Sequence, residues 1–347
     1  MESSDGASRL PHSIDSQNHS ETTVEQGAIV KHARADATPR LLPEKIEIRE
    51  VGLRDALQSL RQALPTGLKC DWILLAHAAG LREIEVGAFV SPTEFPQMAD
   101  TAEVVAFAKT IAGLKVSVVV HDMDGARSAI AAGADVLTLP ISASEMHSRA
   151  NVGRTSAELV EQLRLVRAEC EAVRSSCCIE AVISTAFGCA LQGDVDPAAV
   201  LQIVESVVDA GTDGISLGDS FGVATPNAVY DLFQRTRALL PQHVMLGAHL
   251  HRAPDNRLGN VMAAVEAGVT RFDASLGGIG GSAVSAGVVG NVPLEDVATL
   301  FNMIGVETGV DVNALLDLRK FIGEQSDAQA LFQAVARAAT RRRGGLF

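Results

Sequence analysis

The protein has 347 residues, 47% of them hydrophobic and 20% charged, so its body can build a large buried core and is not intrinsically disordered. Acidic residues outnumber basic ones by 42 to 29, and the formal net charge of −13 argues against nucleic acid as a partner. With one Trp and one Tyr, the core must consist of Val, Leu, Ile and Ala, which disfavours an all-β sandwich.

The cysteines and the apolar segments indicate the compartment. Five cysteines are an odd number, and none of their spacings is typical of a zinc site. The first 44 residues lack the apolar core of a signal peptide, and no stretch of about 18 apolar residues follows. We therefore expect a cytoplasmic protein that is soluble and does not bind membranes.

Taken in chain order, residues 1–44 are polar and without an apolar period, which predicts a disordered tail. From residue 45, short runs typical of strands alternate with longer helical segments. The eight strand-like runs are 46–52, 83–89, 115–120, 135–142, 178–185, 214–220, 244–251 and 271–278.

The segments between these runs predict helices, for example over 155–175 and 196–210, and several end in an Ala-Gly pair typical of a helix C-terminus. Eight such βα units predict a (β/α)8 TIM barrel of the α/β class over residues 45–325. We expect additional C-terminal helices after the eighth strand, with residues 326–347 as a last helix and a basic tail. A doubly wound sheet is the alternative, because closure of a sheet cannot be seen in a sequence.

In such a barrel the active site lies at the carboxyl ends of the strands. The first strand runs into Arg54 and Asp55, a pair that is also common as a surface ion pair. The seventh ends in His249-Leu250-His251, and because strand side chains alternate, both imidazoles point to one face. These histidines are either half of a metal site or neutral residues packed through hydrogen bonds.

A mixed set of nitrogen and oxygen ligands would be completed by Asp55 and by Asn291, which ends the Gly-rich segment after the last strand. Such a set suits Mg²⁺ or Mn²⁺. Glu85 and Asp219 place carboxylates in strands two and six, either as active-site groups or as strand-end caps. The Gly-rich segment 277–290 is either a lid or a tight connection.

These residues stand in motifs that resemble the 3-hydroxy-3-methylglutaryl-CoA lyase family, within the metal-dependent barrel lyases and aldolases. The motifs follow the order and nearly the spacing of that family over residues 45–325. They are VGLRDALQ (51–58), IEVGAFVSP (84–92), PQMAD (96–100), SASE (142–145), LGDSFGVATP (217–226), HLH (249–251), SLGGIGGSAVSAGVVGN (275–291), the ED pair (295 and 296) and TGVD (308–311).

The resemblance implies site residues and a reaction. Asp55, His249, His251 and Asn291 are expected to bind a divalent cation, Mg²⁺ or Mn²⁺. Arg54 is expected to neutralise an enolate oxygen, Glu85 and Asp219 match positions in the active-site cavity, and His249 matches one implicated in catalysis as well. The implied reaction is a retro-Claisen cleavage of a 3-hydroxyacyl-CoA, and the implied partners are an acyl-CoA substrate and a second copy of the chain in a homodimer.

The sequence departs from the family pattern in three places. The catalytic cysteine of the family is replaced by Ser282, whose hydroxyl is far less acidic than a thiol with a pKa near 8.5. Arg252 and Ala253 follow the histidine pair where the family has an acidic residue and a threonine. The segment GCALQGD (188–194) replaces GCPYEG of many relatives.

Three hypotheses for function follow. The preferred one is a metal-dependent carbon–carbon lyase acting on 3-hydroxy-3-methylglutaryl-CoA (HMG-CoA) or a related thioester. The second is a Claisen-type synthase or a 2-oxoacid aldolase with the same metal and enolate chemistry. The third, motivated by Ser282 and Arg252, is a catalytically impaired barrel that binds a CoA-like ligand without turning it over.

Overall fold

The computed structural model describes residues 42–60, 63–252, 258–281 and 290–325, together with Ala328 and Phe332. Eight parallel strands pair in chain order, and β1 also pairs with β8, so the sheet is a closed barrel. The strands are β1 (Glu47–Glu50), β2 (Glu83–Phe89), β3 (Lys115–Val120), β4 (Val136–Ser142), β5 (Cys178–Ser184), β6 (Gly214–Asp219), β7 (Met245–Leu250) and β8 (Arg271–Ala274). The predicted barrel is confirmed, and the doubly wound alternative is wrong because the sheet has no edges.

Helices cover the outside of the barrel and continue beyond β8. They are α1 (Gly52–Asp55), α2 (Thr66–Ala78), α3 (Thr101–Ala108), α4 (Met123–Ala132), α5 (Glu145–Val152), α6 (Ser156–Ala172), α7 (Pro197–Asp209), α8 (Pro226–Leu239), α9 (Gly259–Glu266), α10 (Leu294–Met303) and α11 (Val312–Glu324). The helices predicted over 155–175 and 196–210 are α6 and α7. Helices α10 and α11 confirm that helices follow the eighth strand. The tail predicted over 1–44 lies outside the described residues as far as residue 41, and so does 326–347 apart from Ala328 and Phe332.

Local sequence signals set the ends of these helices. Helix α6 begins at a capping box, in which the Thr155 hydroxyl and the Glu158 carboxylate each accept a hydrogen bond from the other residue's backbone N–H. Helix α4 ends at Gly133, whose φ of 82° is left-handed and directs the chain into β4. The Ala-Gly pairs noted in the sequence therefore mark real turns from helix to strand.

The apolar core lies between the strands and the helices, where Trp72, Phe233, Phe272 and Phe301 are fully buried. The inside of the barrel is different, because charged side chains occupy it near the amino ends of the strands. Arg49 donates to both carboxylate oxygens of Asp273, at 2.7 and 2.8 Å, and to Glu180 at 2.8 Å. Arg271 bonds Glu180 and Glu83. The expectation of a core made only of Val, Leu, Ile and Ala therefore fails inside the barrel.

Two further findings concern membrane-spanning helices and the cysteines. In the part of the chain that the structure describes, no helix has both the length and the apolar character needed to cross a membrane. All five cysteines are free thiols. The sulfur atoms of Cys170 and Cys177 lie 3.3 Å apart without a disulfide.

Candidate metal centre and active site

Three of the four predicted metal ligands meet at the carboxyl end of the barrel. Asp55 from α1 and the two histidines from β7 and its end, His249 and His251, each offer one ligand atom within 4.8 Å of the others, and all three are buried. The Nε2 atoms of His249 and His251 lie 3.3 Å apart. Two imidazole nitrogens and a carboxylate directed to one point form an arrangement that a cation can stabilise.

The fourth predicted ligand, Asn291, lies beside this cluster. Its residue pairs with His251 through an isolated backbone bridge, and its Nδ2 donates to Oδ2 of Asp55 at 2.7 Å. The Asn291 side chain is fully buried, yet its Oδ1 has no hydrogen-bond partner among the described residues. A buried acceptor without a partner is costly unless a ligand satisfies it. The donor set of carboxylate, two imidazoles and an amide oxygen therefore fits a divalent cation.

Asp273 orients the imidazole of His249. Nδ1 of His249 bonds Oδ2 of Asp273 at 2.9 Å, which leaves Nε2 for the cluster. Burial opposes protonation of His249, but the hydrogen bond and the negative charge of Asp273 outweigh it and raise the pKa of the imidazole. For His251, burial and the neighbouring His249 lower the pKa to about 4, so this ring is neutral near pH 7.

Arg54 connects the cluster to a second carboxylate, that of Glu85. Its Nη1 donates to Oδ1 of Asp55 at 3.0 Å, and its Nε donates to Oε2 of Glu85 on β2 at 2.5 Å. The pKa of Asp55 falls to about 2, because the charges of Arg54 and the histidines overcome the effect of burial. Asp55 is therefore an anion at all physiological pH values, as a metal ligand must be.

A cavity of about 340 Å³ opens onto this cluster at the mouth of the barrel. Arg54, Asp55 and the two histidines line one side. The opposite wall includes His121 just after β3, Thr138 on β4 and His147 on α5, and Glu85 on β2 also lines the cavity. Oε1 of Glu85 is buried and without a partner among the described residues. The site thus combines a candidate cation-binding cluster, a fixed guanidinium and an unpartnered carboxylate oxygen around one cavity.

Comparison with known proteins decides the family. The family model described as HMGL-like matches residues 45–322, most of the chain. The chain belongs to the HMGL-like family. The resemblance inferred from the motifs is thereby confirmed.

Two named relatives of this HMGL-like protein are lyases. It is 33% identical to the mitochondrial hydroxymethylglutaryl-CoA lyase of Arabidopsis thaliana over 283 residues, which are 82% of this chain and 60% of the plant protein. It is also 33% identical to the 3-hydroxy-3-isohexenylglutaryl-CoA/hydroxymethylglutaryl-CoA lyase of Pseudomonas aeruginosa, over 86% of this chain and 99% of that one. These relatives confirm the prediction of a carbon–carbon lyase over a synthase or an aldolase.

A solved structure agrees with this assignment. The HMG-CoA lyase of Acinetobacter baumannii, solved in complex with coenzyme A and 3-methylmalate, superimposes with a TM-score of 0.76 at 31% identity. The alignment covers 81% of this chain and 90% of that one. The barrel is therefore shared over nearly its full extent.

Two predicted site residues of this HMGL-like chain, Asp219 and Ser282, are not found among the described residues that line the cavity. Asp219 does not line the cavity, since its buried carboxylate accepts hydrogen bonds at 3.0 Å from the backbone N–H groups of Val223 and Ala224. This is the alternative in which Asp219 caps the end of its strand, and a catalytic role for it stays a prediction. Ser282 lies outside the described residues, as does Ala253.

The Gly-rich segment of the HMGL-like chain reaches the metal cluster directly. The backbone N–H of Gly281 donates to Oδ2 of Asp55 at 3.0 Å. A Cβ on Gly280, where φ is 103°, would lie 2.4 Å from the same oxygen and 2.6 Å from Nδ2 of Asn291. Only glycine fits so close to the ligands. Arg252 contacts this segment too, with Nη2 3.5 Å from the Gly277 carbonyl oxygen.

Several residues of this site were not predicted from the sequence. Asp273 was passed over, although the alternation Arg271-Phe272-Asp273 places its side chain on the inner face of β8 and so carried the signal. The polar residues of the opposite wall, namely His121, Thr138 and His147, were missed as well. They belong to no motif, and only closure of the barrel shows that they share a cavity with the histidine pair.

Proposed function

We propose that this protein is a divalent-metal-dependent lyase that cleaves HMG-CoA, or a closely related 3-hydroxyacyl-CoA, into acetyl-CoA and a 3-oxoacid. The observation that carries the proposal is the buried cluster of Asp55, His249 and His251, with the unpartnered Oδ1 of Asn291 beside it. We assign Mg²⁺ or Mn²⁺ to this cluster because its donors are oxygen and imidazole nitrogen.

The cation and the residues of the protein would supply different parts of the reaction. When bound, the cation supplies Lewis acidity that makes the tertiary hydroxyl of the substrate easier to deprotonate. Loss of that proton lets the C2–C3 bond break, with its electron pair passing to the thioester as an enolate. A proton returned to C2 completes acetyl-CoA, so the reaction consumes and releases no net proton.

Residues of the chain serve these steps as fixed groups. Arg54 is held on one side by Asp55 and on the other by Glu85, so its guanidinium is oriented before the substrate arrives. A cation fixed in this way stabilises the negative oxygen of the enolate without having to reorganise. We assign removal of the hydroxyl proton to Glu85, whose Oε1 is buried without a partner among the described residues, and return of a proton to the position of Ser282. His249, with Nδ1 bonded to Asp273, would serve catalysis by holding the cation through Nε2.

The acyl-CoA class of substrate is supported by the coenzyme A bound in the Acinetobacter baumannii structure. Free thiols throughout the described structure agree with the expected reducing cytoplasm. The homodimer, the absence of nucleic-acid binding, the barrel domain over 45–325 and the two terminal segments stay predictions.

A cleavage assay tests the proposed function. The full chain is loaded with Mg²⁺ or Mn²⁺, given HMG-CoA and followed by release of acetyl-CoA and acetoacetate, with and without EDTA. We expect cleavage that EDTA abolishes and added metal restores. Ser282→Cys is assayed in parallel, because a gain with Cys would assign proton return to this position. The lyase proposal is wrong if neither protein cleaves HMG-CoA while both are folded by circular dichroism and bind metal.

A further inference from the structure

The wall of the cavity that faces the metal cluster contains apolar residues, among them Val119 and Pro140, and three polar atoms without a hydrogen-bond partner among the described residues. They are Nδ1 of His121, Oγ1 of Thr138 and Nε2 of His147. Thr138 is 1% exposed and His147 is 4% exposed. A buried polar atom without a partner costs about 1–3 kcal/mol, so three on one wall indicate that a ligand or ordered water completes them.

The barrel places these atoms across from the metal cluster. Thr138 on β4 is the register partner of Val119 on β3, and His121 lies two residues beyond Val119 on the same face. In the closed order of eight strands, β3 and β4 stand four places from β7 and β8. A substrate held at the histidine pair of β7 therefore directs its far side at this wall.

The two histidines of the wall are neutral groups. Burial lowers the pKa of His121 to about 4 and also lowers the pKa of His147. Nδ1 of His147 is already engaged with the Ser142 hydroxyl at 3.0 Å, and its ring meets Phe221 edge-on at 5.9 Å between centroids. Its orientation is thus fixed, and Nε2 is the ring atom that has no partner among the described residues.

The charges around the wall disfavour an anionic group there. The basic residues among the described lining are Arg54, which is paired with two carboxylates, and Arg154, which donates to the His121 carbonyl oxygen at 3.0 Å. Glu94 and Asp122 also line the cavity and add negative charge. An uncharged group that both donates and accepts hydrogen bonds, above all a hydroxyl, suits this wall better than a carboxylate or an alkyl chain.

We propose that the wall formed by His121, Thr138 and His147 selects a 3-hydroxyacyl-CoA whose substituent at C3 carries a hydroxyl group, in preference to a purely hydrocarbon substituent. This inference rests on the proposed lyase function and names the substrate class of the same cavity. An alkyl substituent would displace water from the wall without replacing its hydrogen bonds, and this loss falls on affinity and on kcat/KM.

Two thioesters of equal size test the selection. In one the C3 methyl of HMG-CoA is replaced by hydroxymethyl, in the other by ethyl, with the same spatial arrangement at C3. For the metal-loaded natural protein we expect kcat/KM for the hydroxymethyl thioester to exceed that for the ethyl thioester by about 10-fold or more, because a site built to bond a hydroxyl leaves polar atoms unpaired without it.

Variants locate the effect. Thr138→Val and His147→Phe keep the approximate size of each side chain and remove the unpartnered polar atom, in the case of His147 together with the Nδ1 that bonds Ser142. Each is expected to lower the preference about 5-fold or more. Thr236→Val is the matched control: the Thr236 hydroxyl is also buried and unpartnered, but it lies on α8 and not among the residues lining the cavity. The control is expected to keep the full preference.

The outcomes separate the two proposals. Equal or higher kcat/KM for the ethyl thioester, or an equal drop of the preference in Thr236→Val, would overturn the selection while cleavage of HMG-CoA upholds the lyase function. If no thioester is cleaved, the lyase function fails, and the ratio of the two Kd values from calorimetry on the metal-loaded protein still decides the selection. A Kd ratio of one in that experiment refutes it.

Discussion

Asp273 bonds His249 through Oδ2 and Nδ1 at 2.9 Å, and the same carboxylate receives two hydrogen bonds from Arg49. Arg49 lowers the pKa of Asp273 far below its usual range against the opposing effect of burial, so the carboxylate stays ionised. A charged acceptor at Nδ1 fixes the ring and increases the basicity of Nε2. The charged side chains inside the barrel form what we call the charged layer, which consists of Arg49, Glu83, Glu180, Arg271 and Asp273. His249 therefore connects this layer to the metal cluster.

Replacing this carboxylate should weaken the metal site. In Asp273→Asn we expect the affinity for Mn²⁺ to fall about 10- to 100-fold, the usual effect of losing a carboxylate behind a ligating histidine. Titration followed by electron paramagnetic resonance measures free Mn²⁺ directly and does not depend on turnover. Asp311→Asn is the control, since Asp311 caps α11 and does not line the cavity. Equal Mn²⁺ affinity in the two variants would contradict the orienting role.

The charged layer also makes a strong prediction for stability. Arg49→Met removes the cation that bonds Asp273 and Glu180, both of which are buried. Breaking a buried ion pair from one side typically costs about 3–5 kcal/mol, because the remaining charge keeps its desolvation penalty. Urea denaturation should show this loss as a lower midpoint.

Arg164→Met provides the comparison for Arg49→Met. Arg164 pairs with Glu161 on α6, where the two side chains are 50% and 56% exposed. An exposed pair contributes little to stability, so the midpoint of this variant should stay close to that of the natural protein. The free energies of unfolding of the two variants should therefore differ by most of the loss expected for Arg49→Met, about 3–5 kcal/mol. Similar urea midpoints in the two variants would show that the charged layer does not stabilise the fold.

Much of this fold followed from the sequence, because its signals are local. The eight strand-like runs and the Ala-Gly pairs are periodic features of short segments, and the His249-Leu250-His251 alternation predicted that both imidazoles share one face. The roles of Asp273 and Thr138 depend instead on which side chains meet across the closed barrel. A buried carboxylate in a strand looks alike in sequence whether it orients a histidine, as Asp273 does, or bonds a following loop, as Asp219 does.

Glu50 should give the protein a distinctive dependence on pH. Burial raises its pKa from the usual 4.5 to about 7, although the backbone N–H groups of Leu276, Leu53 and Gly52 act in the opposite direction. Between these two values the folded chain binds more protons than the unfolded chain, so this residue lowers stability as the pH rises from about 4.5 to 7.

Glu50→Gln removes this titration and serves as the comparison. The stability of the variant minus that of the natural protein should increase by about 3 kcal/mol between pH 4.5 and pH 8, whatever its sign at the lower pH. Urea denaturation at intervals across that range measures the difference, and other titrating groups cancel in the subtraction. A difference that stays constant with pH would show that Glu50 does not titrate in this window.

Gly280 gives the most direct test of how the Gly-rich segment meets the metal cluster. In Gly280→Ala the new Cβ would lie 2.4 Å from Oδ2 of Asp55 and 2.6 Å from Nδ2 of Asn291, so the segment or the ligands must move. Because the ligands have little freedom in a buried site, we expect Mn²⁺ affinity to fall about 10-fold or more.

Gly113→Ala is the matched control for this variant. Gly113 also has a left-handed φ, 78°, but a Cβ there would meet nothing within 4 Å. Both variants therefore carry the backbone strain of about 1–3 kcal/mol expected for a non-glycine residue at such a φ, and only Gly280→Ala adds the collision. Similar losses of stability with a loss of Mn²⁺ affinity confined to Gly280→Ala would locate the effect at Asp55 and Asn291. Unchanged affinity in both would mean that the segment does not shape the site.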